Sequence, residues 1–75
     1  MRAVLASSTV RLRVNGRELE LPAGTTVADL VARHAGDAPR VAVERNGEIV
    51  PRSLWSATRL AAGDHCEIVR FVQGG

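Results

Sequence analysis

The chain has no lysine and no tyrosine, and only one cysteine, one tryptophan and one phenylalanine among its 75 residues. Each scarcity excludes something. A lone Cys66 forbids an internal disulfide and a cysteine-based zinc site. His34 and His65 stand far apart without ligand spacing, so no metal site is expected. Trp55 and Phe71 are the only aromatics, and the basic residues are all arginines, scattered from Arg2 to Arg70. A nucleic-acid binder needs a basic stripe interleaved with stacking rings; here ten basic residues against eight acidic ones leave a net charge of +2, which reads as a solvated surface. No apolar run reaches the 18 residues of a membrane span. No serine, histidine and acid are arranged as a nucleophile, and the interior glycines form no phosphate-cradling pattern. A chain of this size buries only about 60–65% of its unfolded surface, room for one core but hardly for an enclosed pocket. One domain is expected, and its size argues against a self-contained enzyme with a deep active site.

Read in order, residues 1–8 are too short and too weakly apolar for a signal peptide and form a loose N-terminal extension, which places the chain in the cytoplasm. From Thr9 the sequence alternates. Val10, Leu12 and Val14 share one face of a strand and Arg11 and Arg13 the other. Asn15-Gly16 is a type I′ hairpin signal, and the return from Arg17 to Leu21 turns Leu19 and Leu21 inward and Glu18 and Glu20 outward. Thr26-Val27-Ala28-Asp29 fits a helix start with a capping pattern. Val27, Leu30, Val31 and His34 continue it as a stripe, with His34 at its boundary. Gly36 is placed to end the helix in the left-handed conformation, with Pro39 soon after.

Val41 to Arg45 is a further strand, Asn46-Gly47 a second hairpin signal, and Glu48-Ile49-Val50 a short return that Pro51 ends. Arg52 to Leu60 has no clean period; Leu54, Trp55 and Leu60 are expected beneath the sheet as a plug, with Ser53 capping a single turn. Trp55 reads as core rather than as a partner anchor. His65 to Val72 is the last strand. Cys66 and Ile68 share one face, and Val69 and Phe71 the other, the mark of a central strand; Cys66 is then a small buried hydrophobe with an inert thiol. Strand parity leaves Phe71 either in the core or exposed as an anchor for a partner.

The chain stops in Gln73-Gly74-Gly75. Either this is a frayed end, or the carboxylate is the reactive group on a Gly-Gly tail slender enough to thread a narrow slot in another protein. A hairpin, one helix and further strands make an α+β domain, a mixed sheet of four to five strands with one helix packed across one face.

Several blocks carry a family resemblance: Val14-Asn15-Gly16, Thr26-Val27-Ala28-Asp29-Leu30, Asn46-Gly47-Glu48-Ile49-Val50-Pro51-Arg52 with Trp55, Gly63-Asp64, and the Gly-Gly end. From about Thr9 to Gly75 the chain resembles the ubiquitin-like β-grasp family and, within it, the sulfur carriers of thiamine thiazole biosynthesis. The resemblance implies a domain over 9–72 and a flexible tail over 73–75. It implies that an adenylating, E1-like activating enzyme uses ATP to activate the Gly75 carboxylate. A persulfide donor then converts it to a thiocarboxylate, and a thiazole synthase receives the sulfur. On this reading the protein is a co-substrate rather than an enzyme and binds no cofactor itself, ATP being used by the partner. Gly75 is the reactive site, Gln73 and Gly74 complete the tail, and Arg70, Phe71 and Val72 meet the partner. The absence of lysine leaves the α-amine as the only amine that an activated terminus could acylate. The small subunit of molybdopterin synthase is the sister possibility, although its paired prolines before the terminal glycines are missing here. A β-grasp binding module without terminal chemistry is the more distant one.

Overall fold

The computed structural model describes residues 8–36 and 40–71. Strand β1 (Thr9–Val14) turns through Asn15-Gly16 into β2 (Arg17–Pro22). Helix α1 (Val27–Ala35) follows, then β3 (Val41–Arg45), the short β4 (Glu48–Ile49), a 3₁₀ helix (Arg52–Ala57) and β5 (His65–Arg70). The strands form one mixed sheet in the order β2-β1-β5-β3-β4. The last strand in sequence is therefore the central one. It runs parallel to β1 and antiparallel to β3.

The two hairpins form for the reason their turns suggest. Asn15 and Asn46 both adopt φ +52°, and their glycines follow at +82° and +85°. Asparagine tolerates this left-handed backbone and glycine adopts it without strain, so the turn twists with the strands. In the first hairpin Arg11 faces Glu20 and Arg13 faces Glu18, which keeps opposite charges together on the outer face.

Helix α1 opens with the expected reciprocal cap. Thr26 Oγ1 accepts from the Asp29 N–H and the Asp29 carboxylate accepts from the Thr26 N–H, each at 3.1 Å. The helix lays Val27, Leu30, Val31 and Ala35 against Leu12, Val14, Leu21, Val43, Cys66 and Ile68 of the sheet, with Trp55 and Leu60 closing the core.

Four local expectations are corrected. His34 is exposed, and Ala35 fills the end of the buried stripe; the polar imidazole in the last turn keeps to water while the small apolar side chain beside it is covered. Gly36 has positive φ (+58°), but its ψ of −124° is not that of the left-handed helical region. Leu54 is exposed rather than part of the plug, because the tighter winding of the 3₁₀ helix aims only Trp55 inward. Ser53 makes no cap; Pro51 stands at the N-cap with no side-chain hydrogen bond. No helix among the described residues is long and apolar enough to cross a membrane.

Candidate functional site

The end of β5 that leads into the tail is the candidate site, and its geometry starts from two braces on either side of the strand. From the β3 side, Asn46 donates its backbone N–H to the His65 carbonyl at 2.7 Å and accepts the His65 N–H on Oδ1 at 2.9 Å. From the β1 side, Asn15 donates its backbone N–H to the Cys66 carbonyl at 2.9 Å, and its carboxamide accepts the Ile68 N–H at 2.8 Å. Both asparagines were visible as turn formers; their second task as clamps on β5 was not. It depends on residues up to 53 positions away.

Just before β5, Asp64 is only 6% exposed. Its carboxylate accepts from Arg45 Nε (2.8 Å), Asn46 Nδ2 (3.0 Å) and the Ala61 N–H (2.8 Å). Burial pushes this carboxyl group up, but the Ala61 N–H, the Asn46 amide and the Arg45 guanidinium together outweigh burial and hold it below its ordinary value. Cys66 is 2% exposed, and burial, with the neighbouring Asp64 charge, pushes its thiol up. A protonated, enclosed thiol is a poor nucleophile. Among the described residues no group of three or more His, Cys, Asp and Glu could share a metal ion.

Trp55 is buried and donates its indole N–H to the Val50 carbonyl at 2.9 Å, while the Arg52 guanidinium lies 5.4 Å from the ring centroid. The Val50-Pro51-Arg52…Trp55 block is thus a local lock that ties β4 to the 3₁₀ helix. It leaves no tryptophan free as a partner anchor.

At the other end, the Phe71 N–H donates to the Arg40 carbonyl at 3.1 Å, and this is the last backbone bond of the described chain. Phe71 is 57% exposed and Val69 49% exposed, both on the sheet face opposite α1. The parity argument was right that β5 is central, and of the two places it left open for Phe71 the structure shows the exposed one. Ala42 sits opposite Val69, and Ile49, 62% exposed, projects on the same side opposite Glu44. The open face therefore carries the paired charges of β1 and β2 and, at the root of the tail, an apolar corner of Ala42, Val69 and Phe71; Ile49 stands on the same face further back, level with Glu44 and Glu67. Arg70, paired with Val41, lies on the opposite face from Phe71, so the structure does not gather the two into one patch. Ile49 went unnoticed in the sequence, although its place opposite Glu44 in the second hairpin would have put it on the outer face. Val72, Gln73, Gly74 and Gly75 lie outside the described residues.

An apolar corner beside the exit of a central, doubly braced strand can present a chain end to a partner without supplying any reactive side chain. Comparison with known proteins shows the family. The ThiS family profile matches residues 7–75. The sulfur carrier protein ThiS of Bacillus subtilis is 37% identical over 65 residues, a match covering 85% of this chain and 98% of that protein. A thiazole synthase of Paramagnetospirillum magneticum is 42% identical over 66 residues, 88% of this chain, but the chain spans only 20% of its length. The crystal structure of thiamine biosynthesis protein ThiS from Geobacter metallireducens superposes with a TM-score of 0.74 at 33% identity, covering 88% of this chain and all of that one. Its β-grasp fold is the fold found here.

Proposed function

This chain belongs to the ThiS family, and from that premise we propose that it carries sulfur as a thiocarboxylate on Gly75. It is a sulfur carrier of thiamine biosynthesis and not a catalyst. A carboxylate is a poor electrophile until one oxygen becomes a leaving group. An E1-like activating enzyme supplies that by joining the Gly75 carboxylate to the α-phosphorus of ATP with loss of pyrophosphate. The terminal sulfur of a persulfide donor then displaces AMP. Cleavage of the resulting sulfur–sulfur bond by a thiol leaves the thiocarboxylate, whose sulfur passes to a thiazole synthase. Such chemistry belongs in the cytoplasm, where ATP is made available.

The observation that carries the reading is the root of the tail: a braced central strand ending in exposed Phe71 beside Val69, four residues before Gly75. Four extended residues reach at most about 14 Å, so an enzyme that works on Gly75 must rest against this corner. The match to thiazole synthases favours the thiamine pathway over the molybdopterin one. The test is the intact mass of the protein recovered from its native cell. A gain of about 16 Da, one oxygen exchanged for one sulfur, is expected on the C-terminal peptide; an unmodified terminus in cells actively making thiamine would refute the reading.

A further inference from the structure

β1 runs out before β5 does. The two pair only at Arg13–His65 and Val14–Cys66, and β1 then turns away at Asn15-Gly16. Backbone alternation decides which residues of β5 face each neighbour. The His65 carbonyl and the Phe71 N–H bond toward the β3 side, so the odd residues face β3, and Cys66, Ile68 and Arg70 face the β1 side. Cys66 is met there by the Asn15 N–H. Ile68, one rung further, has no strand beside it. The Asn15 carboxamide takes the place of the missing peptide, accepting the Ile68 N–H at 2.8 Å and donating to its carbonyl at 3.3 Å. At Arg70 even this substitute is exhausted: its N–H and C=O face the same open side, and among the described residues neither has a partner.

We propose that the outward N–H and C=O of Arg70 form a docking edge for one extended strand of the enzyme that receives the tail, added beside β5 where β1 leaves off. The inference rests on the carrier reading above. Its occupant follows from reach: a protein enclosing Gly75 stands within about 14 Å of Phe71 and must cover this edge. Backbone groups so covered need hydrogen-bond partners, and strand addition supplies them in register. The flanking side chains set the chemistry of the incoming strand. A residue on the open face meets Val69 and Phe71 and is apolar; its neighbour on the other face meets Arg70 and is acidic.

Proline at position 70 isolates the edge, because the Arg70 N–H makes no bond to β3 and Val69 already has the extended backbone that a following proline demands. Binding to purified thiazole synthase should be about tenfold weaker for Arg70→Pro than for Arg70→Ala, which loses the side chain but keeps the N–H. Equal affinities for the two variants would overturn the proposal. Amide exchange on the unsubstituted chain gives a measure that no folding defect can mimic. The Arg70 amide should exchange freely alone and become protected in the complex, while Phe71, already bonded to Arg40, changes little; an Arg70 amide that stays unprotected in the complex overturns the edge. Protection in the free chain that rises with its concentration would assign the edge to a second copy and overturn the enzyme as occupant. Failure of the carrier reading looks different, since the unsubstituted chain then binds no synthase at all, and the proposal falls with it.

Discussion

Where β5 begins, a buried carboxylate gathers three donors and Asn46 clamps the strand from β3; where it ends, one backbone bond from Phe71 to Arg40 holds the chain, and the neighbouring apolar side chains stand in solvent. Six residues of one strand separate the two arrangements. The first serves the folded state, its carboxylate enclosed. The second leaves its apolar side chains uncovered and, on the carrier reading proposed above, presents them to a partner. The difference teaches that, on that reading, stability and recognition lie at opposite ends of a single element, so that damage to one should leave the other readable.

The sharpest way to separate the ends is at the terminus. Removing Gly75, or adding a residue after it, should abolish adenylation by the activating enzyme, read as loss of pyrophosphate exchange, while the melting temperature stays within about 1 °C because terminal residues bury little. A shortened chain that still exchanges pyrophosphate at the normal rate would break the comparison.

The converse change is Asp64→Ala. It leaves Arg45, Asn46 and the Ala61 N–H without their acceptor, and should cost about 2–3 kcal/mol by denaturant titration. Exchange per folded molecule should not change. The acid response sharpens the point. The folded carboxyl titrates below its ordinary value of 3.8, so its contribution is fully present above that value and is lost as pH falls through the lower, folded one. Stability of the unsubstituted protein should therefore fall more steeply below about pH 5 than that of Asp64→Asn. Parallel acid curves would remove Asp64 from its assigned role.

Phe71→Ala should act in the opposite sense. An exposed aromatic at the centre of a contact is worth about 2 kcal/mol to binding, so affinity for the synthase should fall by more than tenfold with little loss of stability. Stability falling more than affinity would place Phe71 with the core.

The smallest effect is expected at Cys66, midway along the strand. Cys66→Ala should cost about 1 kcal/mol or somewhat more and leave thiocarboxylate formation intact. Loss of sulfur transfer in a folded Cys66→Ala protein would move the chemistry away from the terminus.

What could be read in the sequence follows the same division between near and far. Both Asn-Gly turns, the Thr26–Asp29 cap and the alternation of β1 and β2 depend on neighbours a few positions away, and each is found where it was expected. The Gly-Gly end and the Asn46…Trp55 block pointed to the family. Asp64 stood in view only within the Gly63-Asp64 block of the resemblance, because Arg45 and Asn46 reach it from 19 and 18 residues away. His34 was assigned by helical spacing and Leu54 by its apolar character alone, and neither signal says which side chain the neighbouring elements cover. Phe71 was undecided on parity, since parity states which residues share a face and not whether anything covers it. Ile49 belongs to the same lesson: it reaches the open face only through the alignment of β4 with β3.

The position of β5 between β1 and β3 also sets an order of assembly. Each hairpin closes over a two-residue turn, whereas the pairing of Val14 with Cys66 must close a loop of about fifty residues, with a correspondingly larger entropic barrier. The two hairpins are therefore able to form early and separately, and the sheet becomes one body only when the central strand enters between them. Until then β1 and β3 each present a bare edge, the arrangement most prone to pairing with the wrong chain. Slow entry of β5, more than weakness of the finished sheet, is where this small protein is exposed to misassembly.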